Sequence, residues 1–254
     1  MSDYSPASIG LTKRIPAGDV AVGSRFHPRE QARRGVARVA EFDMAHVPVT
    51  VSQYAAFLTS PAFSEQRWWS AEGWTWLDNK SEGWGRENRW QPDVWEAQRN
   101  RGYHPVTGVT FWEAEAYCAW LSAQKGRKVR LPTEDEWERA ARGDDGRPFP
   151  WGDEFDAKLT NLAESGYNTT TPVADTPGDV SPYGVMDLAG NVQEWTTSVY
   201  QPLPDEALPP GKLLVARGGS YNDTAYAGRT TYRRPYPPGY FFPFLGFRIV
   251  VEAV

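Results

Sequence analysis

The spacing of apolar residues changes along the chain, and the change separates strand-like from helix-like stretches. Ile15-Pro-Ala-Gly-Asp-Val-Ala-Val-Gly23 sets a turn at Gly18-Asp19 between two short apolar runs and reads as a hairpin. Val36 to Met44 alternates at roughly period two, which predicts another strand. The period then lengthens. Tyr54, Phe57 and Leu58 fall at i, i+3 and i+4 behind Thr50-Val-Ser-Gln53, a capping box, so a short amphipathic helix is expected to run up to Pro61. A second box, Thr110-Phe-Trp-Glu113, opens a helix to about Gln124 that stops at Gly126. Ala114, Tyr117, Trp120 and Leu121 line one of its faces. A third box, Thr133-Glu-Asp-Glu136, follows the strand-like Lys128–Pro132, and its helix turns Trp137 and Ala140 inward and ends near Gly143. Beyond it the helical period does not return. Pro172-Val173, Leu213–Arg217 and Gly246–Glu252 read as strands between loops rich in Pro, Gly and Tyr. The pattern predicts a loose segment over 1–12 and one α+β domain over 13–254, with two to three helices, a small twisted antiparallel sheet and long loops.

Composition sharpens this picture. The 254 residues include 12 Trp, 12 Tyr, 11 Phe, 23 Gly and 21 Pro, as in a loop-rich fold held down by large flat side chains. Seven of the tryptophans (Trp68, Trp69, Trp74, Trp76, Trp84, Trp90 and Trp95) fall in one segment, read as clamps holding a long excursion to the body, with a ligand surface as the alternative. Cys118 is the only cysteine, which excludes an internal disulfide or a multi-cysteine metal site, and its place in a helix makes it a core residue. A net charge of −5 without a basic stripe argues against nucleic acid as a partner. No apolar run approaches the ~18 residues of a membrane span, and no signal-peptide pattern opens the chain. The expected location is cytoplasmic, with surface or secreted display left open.

Tyr183-Gly-Val-Met-Asp-Leu-Ala-Gly-Asn-Val-Gln-Glu-Trp195 fits neither period. It reads as an irregular loop needing backbone freedom at Gly190, with Asp187 and Glu194 turned inward, where carboxylates must be paired, hydrogen-bonded or bound to a cation. Four further stretches accompany it: Leu131-Pro-Thr-Glu-Asp-Glu-Trp-Glu-Arg-Ala-Ala-Arg-Gly143, Pro150-Trp-Gly-Asp153, Arg217-Gly-Gly-Ser-Tyr221 and Leu245-Gly-Phe-Arg248. These five motifs, in this order over nearly the whole chain, resemble the formylglycine-generating enzyme (sulfatase-modifying factor) family. The resemblance implies a C-type lectin-like fold with little regular secondary structure and with bound calcium. By that comparison Asp187, Glu194 and the carbonyls of Gly190 and Val192 would hold one calcium ion. Asn161 and the carbonyl of Leu162 would form part of a second site, although the loop from them to Pro172 is shorter here.

The catalytic positions depart from the family. Its two copper-binding cysteines match Asp223 and Gly228, neither of which supplies the thiolate that copper(I) selects, so no copper and no catalytic residue are expected. The three-histidine iron site of the related sulfoxide synthases has no counterpart in the scattered His27, His46 and His104. No phosphate loop, nucleophile elbow or HExxH motif is present. Residues 217–248 instead resemble the variable region of diversity-generating retroelement proteins, a branch of the same lectin-like family. Tyr221, Asn222, Asp223, Thr224, Tyr226, Tyr236, Tyr240, Phe241, Phe242 and Phe244 are the ligand-facing positions this implies. Their Tyr-rich, small-polar composition is that of adaptable recognition surfaces. The expected function is non-catalytic binding of a protein or other macromolecular ligand, as a display or sensor module. A metal-dependent oxidase or sulfatase-modifying enzyme with an unrecognised site is the alternative.

Overall fold

All three capping boxes form. Thr50 accepts from the Gln53 N–H at 3.3 Å while Gln53 accepts from the Thr50 N–H at 2.7 Å, and Thr110/Glu113 and Thr133/Glu136 repeat the exchange. Each satisfies two of the amide donors a helix start leaves unpaired. The computed structural model describes residues 11–79 and 94–252. Its helices are α1 (Pro28–Gln31), α2 (Val51–Leu58), α3 (Ala71–Asp78), α4 (Trp95–Gln98), α5 (Phe111–Lys125) and α6 (Glu134–Arg142). Its strands are β1 (Thr12–Ile15), β2 (Gly18–Val22), β3 (Gly35–Val39), β4 (Phe42–Ala45), β5 (Val129–Arg130), β6 (Gln193–Val199), β7 (Leu214–Arg217), β8 (Arg233–Tyr236), β9 (Leu245–Gly246) and β10 (Val250–Glu252). The expected loose start lies outside the described residues except for its last two, and Thr12 already opens β1.

The strands form three sheets rather than one: β1-β4-β10-β5, the ribbon β2-β3, and β8-β7-β6-β9, whose β6–β9 pair is parallel. Four strand expectations are therefore recast. β1 and β2 do not form a hairpin; β1 pairs with β4 (Ile15 opposite Phe42) and β2 with β3. The corner between them is held by Arg139, which donates to the carbonyls of Pro16 (2.9 Å) and Asp19 (3.0 Å). The run Val36–Met44 breaks at the exposed Ala40-Glu41 and feeds two sheets. Likewise the expected strand Gly246–Glu252 is divided between the end of β9 and β10, because Phe247, Arg248 and Ile249 cross between the sheets. Pro172-Val173 is not a strand; Val173 makes one backbone bond to Tyr103. α1, α3 and α4 had no clear period in the sequence.

Two main apolar cores result. The larger lies between α2, α5 and the β6–β9 sheet, with Tyr54, Phe57, Tyr117, Trp195 and Phe247 at its centre. Cys118 lies in it, its thiol pushed up by burial and so inert. Trp69 and Trp95 are buried there, and Trp68, Trp74 and Trp76 pack on its flank, so the described tryptophans act as clamps. Trp84 and Trp90 lie outside the described residues. The smaller core gathers Ile15, Val20, Met44, Val185 and Leu188 around the fully buried Trp137 of α6. No described helix is long and apolar enough to cross a membrane.

Candidate ligand surface and the frame behind it

The segment from Arg217 to Arg248 is anchored at both ends by buried arginines. At the first end Arg217, at 0% exposure, donates to Glu134 and Glu138, each at 2.9 Å, and to the carbonyl of Thr230 at 2.5 Å. Arg233, further along in β8, donates to both oxygens of Glu134 at 2.8 and 2.9 Å. Burial works against an ionised Glu134, yet Arg217, Arg233 and Arg33 together hold its carboxyl below the usual carboxylate range. At the second end Arg248 grips Glu194 through Nε and Nη2, both at 2.6 Å, and Nη2 also reaches the carbonyls of Met186 and Asp187 at 2.9 Å. Trp137 Nε1 completes the set with a 2.7 Å bond to Glu194. All three side chains are fully buried, so their charges and N–H groups are satisfied within the protein. The Thr133/Glu136 capping box, which starts α6, and the Arg-Gly-Gly and Gly-Phe-Arg motifs are thus parts of one framework.

Between the anchors the chain turns outward. Asn222, Thr224 and Tyr226 are exposed, and Tyr221, Tyr240, Phe241, Phe242 and Phe244 are half-buried. Phe242 and Phe244 stack with centroids 5.1 Å apart and planes 3° apart, and Tyr240 meets Phe242 edge-on at 6.1 Å. This loop rests on the tryptophan helices: Pro238 accepts from the Phe111 N–H at 3.0 Å, and Gly239 lies against Trp112 and Trp76. The structure thereby joins the two aromatic regions that the sequence presents separately. Two expected positions differ. Tyr236 is buried, because its register opposite Leu214 in β8 turns the ring into the large core, where its hydroxyl donates to Gln193 at 3.0 Å. Asp223 is half-buried and held by Ser220 and Gln193. Sequence reading missed Phe26 and His27. Phe26 is 66% exposed and lies 4.9 Å from the Arg229 guanidinium, which is 4.1 Å from the Tyr226 ring; His27 meets Tyr226 at 6.0 Å. Long-range bonds bring that turn alongside, among them Arg229 (2.6 Å) and Thr231 (2.7 Å) to Glu30, and no local signal marks them.

The loop 183–195 holds backbone freedom elsewhere than expected. Gly184, Asp187 and Asn191 adopt positive φ (76°, 55° and 68°), whereas Gly190 is required for space: a Cβ there would sit 2.5 Å from the Asn161 carbonyl and the Thr160 hydroxyl. A calcium ion takes six to eight oxygens. Of the donors implied by the family resemblance, Glu194 has both oxygens engaged by Arg248 and Trp137, and Gly190 accepts from the Val192 N–H at 2.9 Å. Asp187 accepts from the Ala174 N–H (2.7 Å) and the Thr176 hydroxyl (3.4 Å), and the Leu162 carbonyl from Ser165. Among the described residues no group of three or more His, Cys, Asp or Glu is arranged to hold a metal. Asn161 Oδ1, one of the implied donors, is buried without a hydrogen-bond partner, and so is Asp179 Oδ1, which the resemblance did not name. Burial and the neighbouring Asp187 push Asp179 up to about 7, and burial pushes Asp187 up to about 6, so the site resists two bare carboxylates. Asn161 therefore fits a cation and Glu194, in this arrangement, does not.

At the positions matching the copper-binding cysteines, Asp223 is tied into hydrogen bonds, and a side chain at Gly228 would meet Leu162 at 2.6 Å and the Ala189 carbonyl at 3.0 Å. The histidines stay apart in separate roles. His27 caps α1, His46 bonds the Gly184 carbonyl at 2.8 Å and His104 bonds Thr170 at 2.9 Å. Burial lowers both His46 and His104, which favours their neutral forms.

Few regular elements, small sheets and long loops pinned by buried ion pairs define a fold of the formylglycine-generating-enzyme type. Over residues 5–253 the sequence matches the sulfatase-modifying factor enzyme 1-like domain, and the chain belongs to that family. It is 32% identical over 245 residues to hercynine oxygenase of Mycolicibacterium smegmatis, covering 85% of this chain and 55% of that protein. It is 41% identical over 165 residues to the inactive C-alpha-formylglycine-generating enzyme 2 of Mus musculus, covering 59% of this chain and 49% of that one. The chain spans about half the length of these curated relatives. Among solved structures, CarF aligns with a TM-score of 0.67 at 26% identity over 96% of this chain and 98% of its own. Treponema denticola variable protein 1 aligns at 0.70 with 21% identity over 95% of each, a likeness of fold.

Proposed function

We propose that this chain is a non-catalytic binding protein that displays the aromatic surface Tyr221–Phe244 to a protein or other macromolecular ligand, as a variable protein of a diversity-generating retroelement. The observation that carries this reading is the division of residues 217–248. The framing arginines are buried in ion pairs, while Asn222, Thr224 and Tyr226 are exposed and the Tyr240–Phe244 loop is half-exposed. Replacing such outward residues leaves the frame untouched, which is what diversification requires. Asp223 and the enclosed Gly228 stand where the family's copper-binding cysteines would be, consistent with recognition rather than oxidation. The decisive observation lies in DNA. A near-copy of the coding sequence for residues 217–248, differing mainly at adenines and beside a reverse transcriptase gene, is expected; its absence ends the retroelement reading.

Calcium belongs to this proposal as a structural ion for which Asn161 Oδ1 is an open buried donor, whereas both oxygens of Glu194 are engaged by Arg248 and Trp137. Chelation is then expected to lower the melting temperature of the wild type and to leave Asn161→Ala unmoved. A wild-type melting curve indifferent to chelator rejects the ion. The alternative is an enzyme, favoured by identity to hercynine oxygenase across most of this chain. Stoichiometric copper or iron in the purified protein would decide for it.

A further inference from the structure

The β2–β3 ribbon has one edge sealed and the other open. Arg139 donates to the carbonyl of Asp19 at 3.0 Å, and Arg142 to those of Ala21 and Gly23 at 2.6 and 3.2 Å, so arginines of α6 cap the outward carbonyls of β2. In an antiparallel pair, residues whose polar groups turn away from the partner strand face one another. The register sets Asp19 opposite Arg38 and Ala21 opposite Val36, so the N–H and C=O of Val36 and Arg38 point outward from β3. Among the described residues those four groups have no hydrogen-bond partner. An edge with unpaired groups is a template for another strand.

The side chains say what kind of strand. Arg34, Val36 and Arg38 alternate onto one face and are all exposed, Val36 at 73%, while Ala37 and Val39 pack inward toward the Trp137 core. Arg34 has no ion pair among the described residues. Arg38 meets Asp19 at 3.1 Å, but both side chains are mostly exposed, so the pair yields readily. Near the end of the ribbon where residues 23–34 connect the two strands, a hollow of about 570 Å³, lined by Ala21, Val22, Arg34, Val36 and Arg142, offers room for an incoming side chain. A second copy of β3 would set arginine diagonal to arginine across the new pair, which is repulsive.

We propose that the outer edge of β3 receives an extended segment of another protein, whose residues alternate acidic, apolar, acidic on the face meeting Arg34, Val36 and Arg38. Backbone hydrogen bonds to Val36 and Arg38 give the register, and the arginines select the charge. This surface is separate from the aromatic one and stands or falls without it.

A fluorescein-labelled heptapeptide Thr-Glu-Thr-Val-Thr-Glu-Thr tests it by anisotropy, with amide exchange as the second readout. Saturable binding with protection of the Val36 and Arg38 amides is expected, and a peptide with Lys for Glu binds about tenfold weaker or worse. Val36→Pro is expected to weaken binding at least about tenfold. The fold should tolerate proline there, since that N–H makes no bond in the native ribbon. Arg38→Glu tests the charge with the backbone intact. No saturable binding, or binding indifferent to both substitutions, overturns the proposal. So does concentration-dependent dimerisation that Val36→Pro abolishes, which would give the edge to a second copy.

Discussion

The buried ion pairs behind residues 217–248 and the aromatic side chains in front of them are built on opposite principles. Glu194, Arg248, Arg217 and Glu138 are sealed from water, and their charges are matched by specific ion pairs and hydrogen bonds. Removing one member strands its partner's charge in a medium that cannot solvate it. Tyr221, Tyr240, Phe241 and Phe244 instead keep part of their surface in solvent, and the ring contacts of Tyr240 and Phe244 with Phe242 are non-polar packing that tolerates changes of size and angle. The first region specifies one backbone course; the second leaves side chains exchangeable on it. A scaffold for recognition needs both, since a surface can vary only where the frame does not depend on it.

The sharpest way to break this comparison is Arg248→Met. It leaves Glu194 buried and unpaired, and a loss of about 3–5 kcal/mol in urea unfolding is expected. A loss below about 1 kcal/mol would mean that the frame is not electrostatic. A smaller effect is expected in acid. The folded protein holds Glu134 below its ordinary value near 4.5, so this group contributes stability above that value and loses it as the pH falls through the lower folded pKa. Unfolding followed between about pH 5 and pH 2 should be steeper in the wild type than in Glu134→Gln, which is less stable at pH 7 but has less left to lose. Parallel curves would remove Glu134 from the frame. The smallest effects belong to the surface. Asn222→Ala and Thr224→Ala should each change stability by no more than about 0.5 kcal/mol. A loss as large as that at Arg248 would collapse the distinction between the two regions.

How much of this was legible in the sequence follows from the range of the interactions concerned. Capping boxes are exchanges within four residues, so Thr50, Thr110 and Thr133 mark their helices locally, and Gly126 marks an end by its left-handed φ of 62°. The five ordered motifs carried the family, and the inward turn of Asp187 and Glu194 was readable because carboxylates among apolar neighbours in a loop have few alternatives. The partners of those carboxylates were not readable. Glu194 meets an arginine 54 positions later, and Glu30 one 199 positions later, and the choice between a guanidinium and a metal ion depends on which arrives. The sorting of strands into three sheets was hidden for the same reason: alternation reports that a strand has a buried face, not which strand lies beside it. The sequence by itself determined the three capped helices α2, α5 and α6, their ends and the family, because those rest on local bonds and ordered motifs. Only the tertiary structure decided that Tyr236 turns inward, that Phe26 stands beside Tyr226 and that β3 keeps an open edge, because each depends on residues that local spacing cannot bring together.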